Sequence, residues 1–439
     1  MKILKWSIVA AIFAGIIFCF STCHTMEAKG KVEIALFVWP FKSTIDMTKE
    51  KVAIFEKENP DIKVRLVFGV EDKYLTMVTG GVAPDVAIEG EKEIPHYAKR
   101  KAILPLDEFI EKDKDFSMDR FFRIAAESMK YKGKYYGLPD SGSPVALIYN
   151  KDIFDRWNKA HPDQHLDYPN EKWTWADFRR AAKLLTQDTD GDGKTDVFGA
   201  LISFSKNRFP IQVWQNGGEV ISKDKKRCTL TEPAAVEAIQ WLYDIIWKDH
   251  SAPTAFTAIE GVGSVSEGRF FVEERVAMMM QTRYAYSDLI GKTHFDWDIA
   301  PLPRGKVSNV SLYIGGGWLM SSQTHHPEEC WRLMKFLTNE RCGEILMKHG
   351  RAISANKAAT IKCLTAPGHY PKHDYYWIDI MHNSRLKDFE FRGMWGFFSQ
   401  ARDQIGYLST GRLTPKQACE NFCRIFNEGL KLLWEEGGP

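Results

Sequence analysis

From residue 31 onward, short apolar strands alternate with amphipathic helices, and this alternation limits the possible folds more than any other feature. "KVEIALFVW" places Val32, Ile34, Leu36 and Val38 on one face and Glu33, Ala35 and Phe37 on the other, the period of a strand. A helical stretch follows to about Glu58, with Val52 and Phe55 at helical spacing, and "ENPDIKVRLVFG" then predicts a turn and a second strand. Another short helix leads through "TGGVAPDVAIEG" to a third apolar strand. Such alternation predicts an α/β domain with a largely parallel sheet. "GKYYGLPDSGSPVALIYNKDIF" marks a Gly/Pro/Ser-rich break followed by a new strand and helix.

Later segments repeat the pattern. Thr174 with Asp177 three residues on forms a capping box before Trp175, Phe178, Ala182 and Leu185. Pro233 and Pro327 each open a helix as first-turn prolines, and Thr414 to Glu436 predicts one or two closing helices. A chain of 439 residues has room for two or three domains, and no internal repeat or low-complexity tract interrupts it. Its apolar fraction of 44% and charged fraction of 26% exclude disorder as the default.

The opening "MKILKWSIVAAIFAGIIFCFSTC" sets Lys2 and Lys5 before an apolar run from Trp6 to Phe20, then small polar residues. That is the plan of a secretory signal, too short for a membrane span, so residues 1–23 are expected to direct export. Cys23, preceded by Phe20, Ser21 and Thr22, resembles a bacterial lipoprotein box in which the cysteine is lipidated, although Thr22 departs from the usual Gly, Ala or Ser. Membrane attachment is expected only through such an anchor. Without Lys2 and Lys5 the two signs of charge balance, because the chain holds 59 basic and 57 acidic residues. A neutral balance argues against nucleic acid and anionic membranes as partners. The cysteines beyond the targeting segment, at 228, 330, 342, 363, 419 and 423, form no CxxC pair. Export permits disulfides, but a chain this long does not require them, and Cys419 with Cys423 reads as an apolar helix face.

"DTDGDGKTDVFG" (188–199) carries carboxylates at alternate positions and a glycine at the bend, as a calcium loop does. Asp188, Asp190, Asp192, the Lys194 carbonyl and Asp196 take the first five ligand roles. Gly199 occupies the position of the bidentate Glu, so a remote carboxylate would have to complete a Ca²⁺ shell. A single loop with no exit helix predicts a structural staple, not a sensor; an ordinary Asp/Gly turn is the alternative.

"VWP", "GGVAPDV", "GKYYGLP", "LIYNKDIF", "WTWADFRRAAKLLT" leading into the Asp-rich loop, "QNGGEV", "GGGWLMSS" and "HPEECWRLMKFLT" occur in one order. In that order the chain resembles the family 1 extracellular solute-binding proteins, the sugar-binding components of bacterial ABC importers. The resemblance covers nearly the whole chain after the signal segment. It implies a type II periplasmic-binding-protein fold: two α/β lobes, a ligand cleft between them and three hinge crossings. By that analogy the crossings lie near Ser141 to Pro144, Tyr313 to Gly317 and Cys363 to Gly368. A linker (24–30) then precedes an N-terminal lobe of 31–142 plus 317–364 and a C-terminal lobe of 143–316 plus 365–439. A monomer that closes over a sugar or oligosaccharide and presents it to ABC permease subunits is expected.

A neutral sugar needs flat rings for its C–H faces and carboxylates, amides or Arg for its hydroxyl rim. Trp39 and Phe41 follow the first strand; Glu89 and Glu91 follow "PDVAI", where open α/β sheets place ligand groups. Arg208, Phe209 and Trp214 follow "ALISFSKN", Arg283 and Tyr284 end "VAMMMQT", Trp318 adjoins a glycine run, and Trp395 lies in "FRGMWGFF". Trp241 and Trp331 sit on apolar helix stripes and read as core. Two rivals remain at this stage. A glycosidase would need a pair of carboxyls that sequence cannot locate, and no G-x-S-x-G, H-E-x-x-H or P-loop accompanies it. A ferric receptor would use the doublets Tyr135/Tyr136 and Tyr375/Tyr376 as tyrosinates, although "GKYYG" reads more simply as a hairpin.

Overall fold

The computed structural model describes residues 31–204, 208–254, 267–350, 352–435 and 437–438. The signal segment, the linker and Cys23 lie outside the described residues. Val32–Val38 (β1), Ile62–Phe68 (β2) and Val86–Gly90 (β3) are the strands of the opening alternation, and β1 pairs in parallel with both others. Lys130–Tyr131 (β4) and Lys134–Tyr135 (β5) form the small hairpin expected at "GKYYG", ahead of Gly137–Gly142 (β6). Past a two-residue crossing come Val145–Asn150 (β7), Phe198–Leu201 (β8), Val276–Thr282 (β9) and Trp297–Ala300 (β10), a second sheet in the order β10-β7-β9-β8. Ser311–Leu312 (β11) leads back to Gly315–Met320 (β12) and Ile353–Ser354 (β13), which complete a first sheet ordered β13-β6-β12-β3-β1-β2. Ser384–Arg385 (β14) pairs with β11.

The largely parallel sheet expected from the opening alternation is therefore corrected. β12 runs antiparallel to β3 and β6, and β13 antiparallel to β6. β12 returns from the second lobe and β13 follows it through the helices Pro327–Leu337 and Glu340–Lys348, so neither pairs with β6 through a local strand–helix–strand unit that would impose a parallel direction.

The helix Lys42–Glu58 buries Thr44, Met47, Thr48, Lys51, Val52 and Phe55, the three-and-four spacing of one helical face. That face packs with the helices Pro327–Leu337 and Glu340–Lys348 against one side of the first sheet; Glu71–Thr79 and Ile94–Lys99 cover the other side. In the second lobe β7 is buried on both faces: Val145, Leu147 and Tyr149 join one core while Ala146 and Ile148 join another. Each fully buried Ile or Phe in these cores contributes about 1.5–3 kcal/mol over its exposed state. The capping box forms in full, Thr174 Oγ1 accepting from the Asp177 amide at 3.3 Å and Asp177 Oδ2 from the Thr174 amide at 2.8 Å. The closing helix is one, Pro415–Glu435, and it carries a disulfide from Cys423 to Cys228 that the scattered cysteine spacing had not announced.

Two crossings join the sheets, Ser143–Pro144 from β6 to β7 and residues 301–314 from β10 to β12, and a third passage leads from β13 past the helix Lys357–Leu364 to β14 beside β11. The Ser143 amide donates to the Ile314 carbonyl at 2.7 Å, tying the first to the second. Tyr313 fills the space between them. A Cβ on Gly142 would lie 2.2 Å from its ring, and one on Gly315 2.3 Å from its hydroxyl, so these two glycines serve close packing at the crossing.

Candidate functional site

A cavity of about 160 Å³ lies at the carboxyl ends of β1 and β3, where an open α/β sheet presents ligand groups. Trp39 and Phe41 line it because β1 ends at Val38 and the next helix begins at Lys42, leaving both rings on the intervening turn. Trp39 is half-buried and Phe41 is 50% exposed. Tyr284 enters the same cavity from the other lobe, on the turn that follows β9. Met47 and Ile88 form the apolar floor, and Asp140, Ser141 and His349 supply polar atoms.

Asp140 and His349 were missed by sequence reasoning. "GLPDSG" reads as a hinge break, which draws attention away from the carboxylate inside it. Asp140 Oδ1 accepts from Trp318 Nε1 at 3.0 Å and from Lys51 Nζ at 3.3 Å, and the Lys51–Asp140 pair is almost wholly buried. Among the described residues Asp140 Oδ2 meets no donor, so this atom is held rigidly and remains able to accept one.

Several sequence-based assignments need correction. Trp318 does not line the cavity: it is fully buried beneath Asp140, which it orients through its indole N–H. Glu89 is fully buried on the opposite face of β3, beside Tyr74, because Ile88 takes the cavity side and strand neighbours alternate. Phe209 and Trp214 are core residues; Phe209 packs edge-on against Phe422, and the Arg385 guanidinium covers the Trp214 ring at 4.5 Å. Arg208 is committed to Glu267 at 3.0 Å, the Met280 carbonyl at 2.8 Å and Gln281 at 2.9 Å, which anchors its helix to β9. Arg283 is buried at the junction of the lobes, donating to the Ala352 carbonyl and Asp374 at 3.2 Å each. Burial works against the Asp374 carboxylate, but His369, Arg283 and Tyr286 hold it below the ordinary carboxylate range.

Glu91 accepts from the Gly315 amide at 3.0 Å, at the start of β12. Burial pushes its carboxyl up to about 7, against the opposing pull of Lys387 and of that hydrogen bond. Trp395 is 39% exposed, with Lys92 of the first lobe 5.0 Å from its ring centre; it faces the lobe junction outside the cavity. The cavity thus gathers Trp39, Phe41 and Tyr284 from the eleven candidates and adds Asp140, Ser141 and His349.

In the Asp-rich loop, carboxylate oxygens of Asp188, Asp190 and Asp196 lie within 4.8 Å of one another. Gly191 and Gly193 take left-handed φ values of 80° and 83°, which bend the loop around them. Asp192 stands apart from this cluster; its carboxylate accepts from the Lys194 amide at 2.8 Å. Of the two tyrosine doublets, Tyr376 is already engaged. Burial and Glu171, to which its hydroxyl donates at 2.8 Å, raise the Tyr376 phenol well above its usual range.

A family model described as bacterial extracellular solute-binding protein matches residues 42–341. The chain is 24% identical over 323 residues to a maltotriose-binding protein of Pyrococcus abyssi, covering 72% of this chain and 61% of that relative's length. It is 23% identical to the maltodextrin-binding protein MdxE of Bacillus subtilis, covering 82% of this chain and 83% of that one. Among solved structures, the ABC substrate-binding protein Lmo0181 of Listeria monocytogenes, in complex with cycloalternan, superposes with a TM-score of 0.76 at 25% identity. That alignment spans 93% of this chain and all of the other. The sugar-binding protein MalE of Xanthomonas citri reaches 0.77 at 16% identity, again over 93% of this chain and all of that one, a likeness of fold.

Proposed function

The chain belongs to the bacterial extracellular solute-binding protein family, a family of binding proteins and not of enzymes, and from that premise we propose that it captures a sugar or short oligosaccharide and delivers it to an ABC importer. One observation carries the proposal: Trp39 and Phe41 of one lobe and Tyr284 of the other border a single cavity whose polar wall includes Asp140. Rings take the C–H faces of a pyranose, and the carboxylate takes a hydroxyl. Because the rings come from both lobes, bound sugar favours the arrangement in which the lobes approach, and that closed form is what permease subunits would engage. The relatives named for maltotriose and maltodextrins support a glucose-based ligand.

Titration calorimetry against a panel of neutral glycans tests this. At least one glycan should bind without turnover, and Tyr284→Ala should weaken it by about 2 kcal/mol, roughly thirtyfold, as for a stacked aromatic anchor. Unchanged affinity in Tyr284→Ala would remove the ring from the site.

Export is the family's setting, and a Streptomyces antibioticus relative, 24% identical, is described as a lipoprotein. Cys23 is accordingly the proposed lipid anchor. Cys23→Ala should move the protein from the membrane fraction to the soluble one; retention in the membrane fraction would exclude it.

The Asp-rich loop is proposed to hold Ca²⁺ through Asp188, Asp190 and Asp196 with the Lys194 carbonyl, bracing the segment between the helix Trp175–Leu184 and β8. Calcium would supply only cross-linking charge. A chelator should lower the melting temperature and leave glycan affinity within about twofold, since calcium bound to the folded state stabilises it by mass action. A melting curve indifferent to both chelator and added Ca²⁺ would refute the staple.

A further inference from the structure

Apart from the ring-lined cavity, a larger groove of about 640 Å³ opens where the lobes meet. Its first-lobe wall carries Lys92, Lys99, Arg100, Lys130 and Lys132, from the helix Ile94–Lys99 and the β4–β5 hairpin with their flanks. Its second-lobe wall carries Lys225, and Glu390 is the single lining carboxylate among the described residues. Six cations against one anion is a steep local excess in a chain of formal charge +2.

Some of these cations are already engaged. Lys130 pairs with Glu127 at 2.7 Å, Lys92 with Glu93 at 3.9 Å, and Lys99 donates to the Gly438 carbonyl at 2.7 Å. Three are not neutralised. Arg100 donates only to the ring and carbonyl of His96, Lys132 lies 5.3 Å from the Tyr131 ring centre, and Lys225 lies 5.6 Å from that of Phe391. Among the described residues none of the three meets a carboxylate.

The backbone offers a way to remove two of these lysines without unfolding the chain. Lys132 and Lys225 have φ values of 47° and 58°, in the left-handed region. A residue with a Cβ is strained there and glycine is not, so packing alone favours glycine at both positions. Lys101, His250 and Glu274, outside the groove lining, share such φ values, so glycine at 132 or 225 tests the side chain alone.

We propose that this groove binds a compact polyanion carrying clustered phosphate groups, held by Arg100 and Lys132 of the first lobe and by Lys225 of the second. The volume is that of a small-molecule site, and the cations surround a pocket instead of forming the long stripe that tracks a nucleic acid. Phosphates carry up to two charges each in little space, which suits three unneutralised cations better than a single carboxylate does. Because the cations belong to both lobes, such a ligand stabilises one relative arrangement of the lobes and so couples to sugar uptake. The same chemistry is offered by a soluble diphosphate and by a phospholipid headgroup.

Inorganic pyrophosphate titrated calorimetrically into the purified full chain, at ionic strength held constant with sodium chloride, tests the proposal without any sugar. Saturable binding is expected, weakened about tenfold in Lys132→Gly and again in Lys225→Gly. Both variants should melt at or above the parent temperature, because glycine relieves the left-handed strain, so lost binding is not lost folding. Lys134→Gln, on β5 outside the groove, should bind as the parent does. Sedimentation with cardiolipin vesicles, whose headgroup carries two phosphates, compared with phosphatidylcholine, separates the sources: association that depends on Lys132 and Lys225 assigns a headgroup, and pyrophosphate binding without vesicle association assigns a soluble ligand. No saturable binding in either arm, or binding that both glycine variants leave intact, overturns the proposal.

Discussion

Asp140→Ala should cost the folded protein about 3–5 kcal/mol, the usual penalty for removing one partner of a buried ion pair. Lys51 is only 1% exposed and would be left inside the first lobe without its carboxylate partner. The Trp318 indole N–H, fully buried, would lose its acceptor at the same time. Urea unfolding followed by tryptophan fluorescence measures the loss. The double variant Asp140→Leu with Lys51→Met should recover much of it, since neither charge then remains in the core. A penalty under about 1 kcal/mol in Asp140→Ala would mean that Lys51 reaches solvent and that the pair does not brace the cavity wall. The double variant also separates the two roles of Asp140: stability returns, but the hydroxyl acceptor does not, so glycan affinity should stay low.

This coupling explains why the site was only partly legible in the sequence. Trp39 and Tyr284 were accessible to reasoning because each follows a recognisable strand, and chain ends of β1 and β9 point to the lobe boundary. Glu89 was misplaced by parity. Its strand was found, but which face of β3 looks into the cavity depends on the helices that cover each side, and those arrive from residues 42–58 and 327–348. Trp318 was misplaced by depth: an aromatic beside glycines can stand at a surface or lie beneath one, and here its ring lies in the core that the helices of residues 42–58 and 327–348 share with the first sheet. Asp140 was hidden by its neighbours, because a run of Gly, Pro and Ser announces a crossing and says nothing of what packs below it. Parallel strand pairing failed for a related reason. Local alternation determines the direction of β2 and β3, whereas β12 and β13 are placed by crossings more than 150 residues away in the chain from β6.

Reducing the Cys228–Cys423 bond, or replacing Cys228 by Ser, should destabilise the second lobe by about 2–5 kcal/mol. The bond closes a loop with a sequence separation of 195, and a cross-link over so long a loop removes much chain entropy from the unfolded ensemble. It also fastens the closing helix Pro415–Glu435 to the segment that leads into the helix Pro233–Trp247, where the Cys228 amide donates to Asn427 at 2.7 Å. Phe422 and Phe426 beside it pack into the second-lobe core, so loosening that helix exposes apolar surface as well. Mass analysis with and without reductant should show one disulfide in the purified protein. Melting with dithiothreitol should then fall for the parent and be unmoved for Cys228→Ser, and the two should coincide. Four other thiols among the described residues serve as the internal control: with burial raising their pKa, Cys330, Cys342 and Cys419 should react with a thiol reagent only on unfolding, and half-exposed Cys363 before it. Equal melting of parent and Cys228→Ser under oxidising conditions would show that packing of the closing helix, and not the covalent link, holds that lobe together.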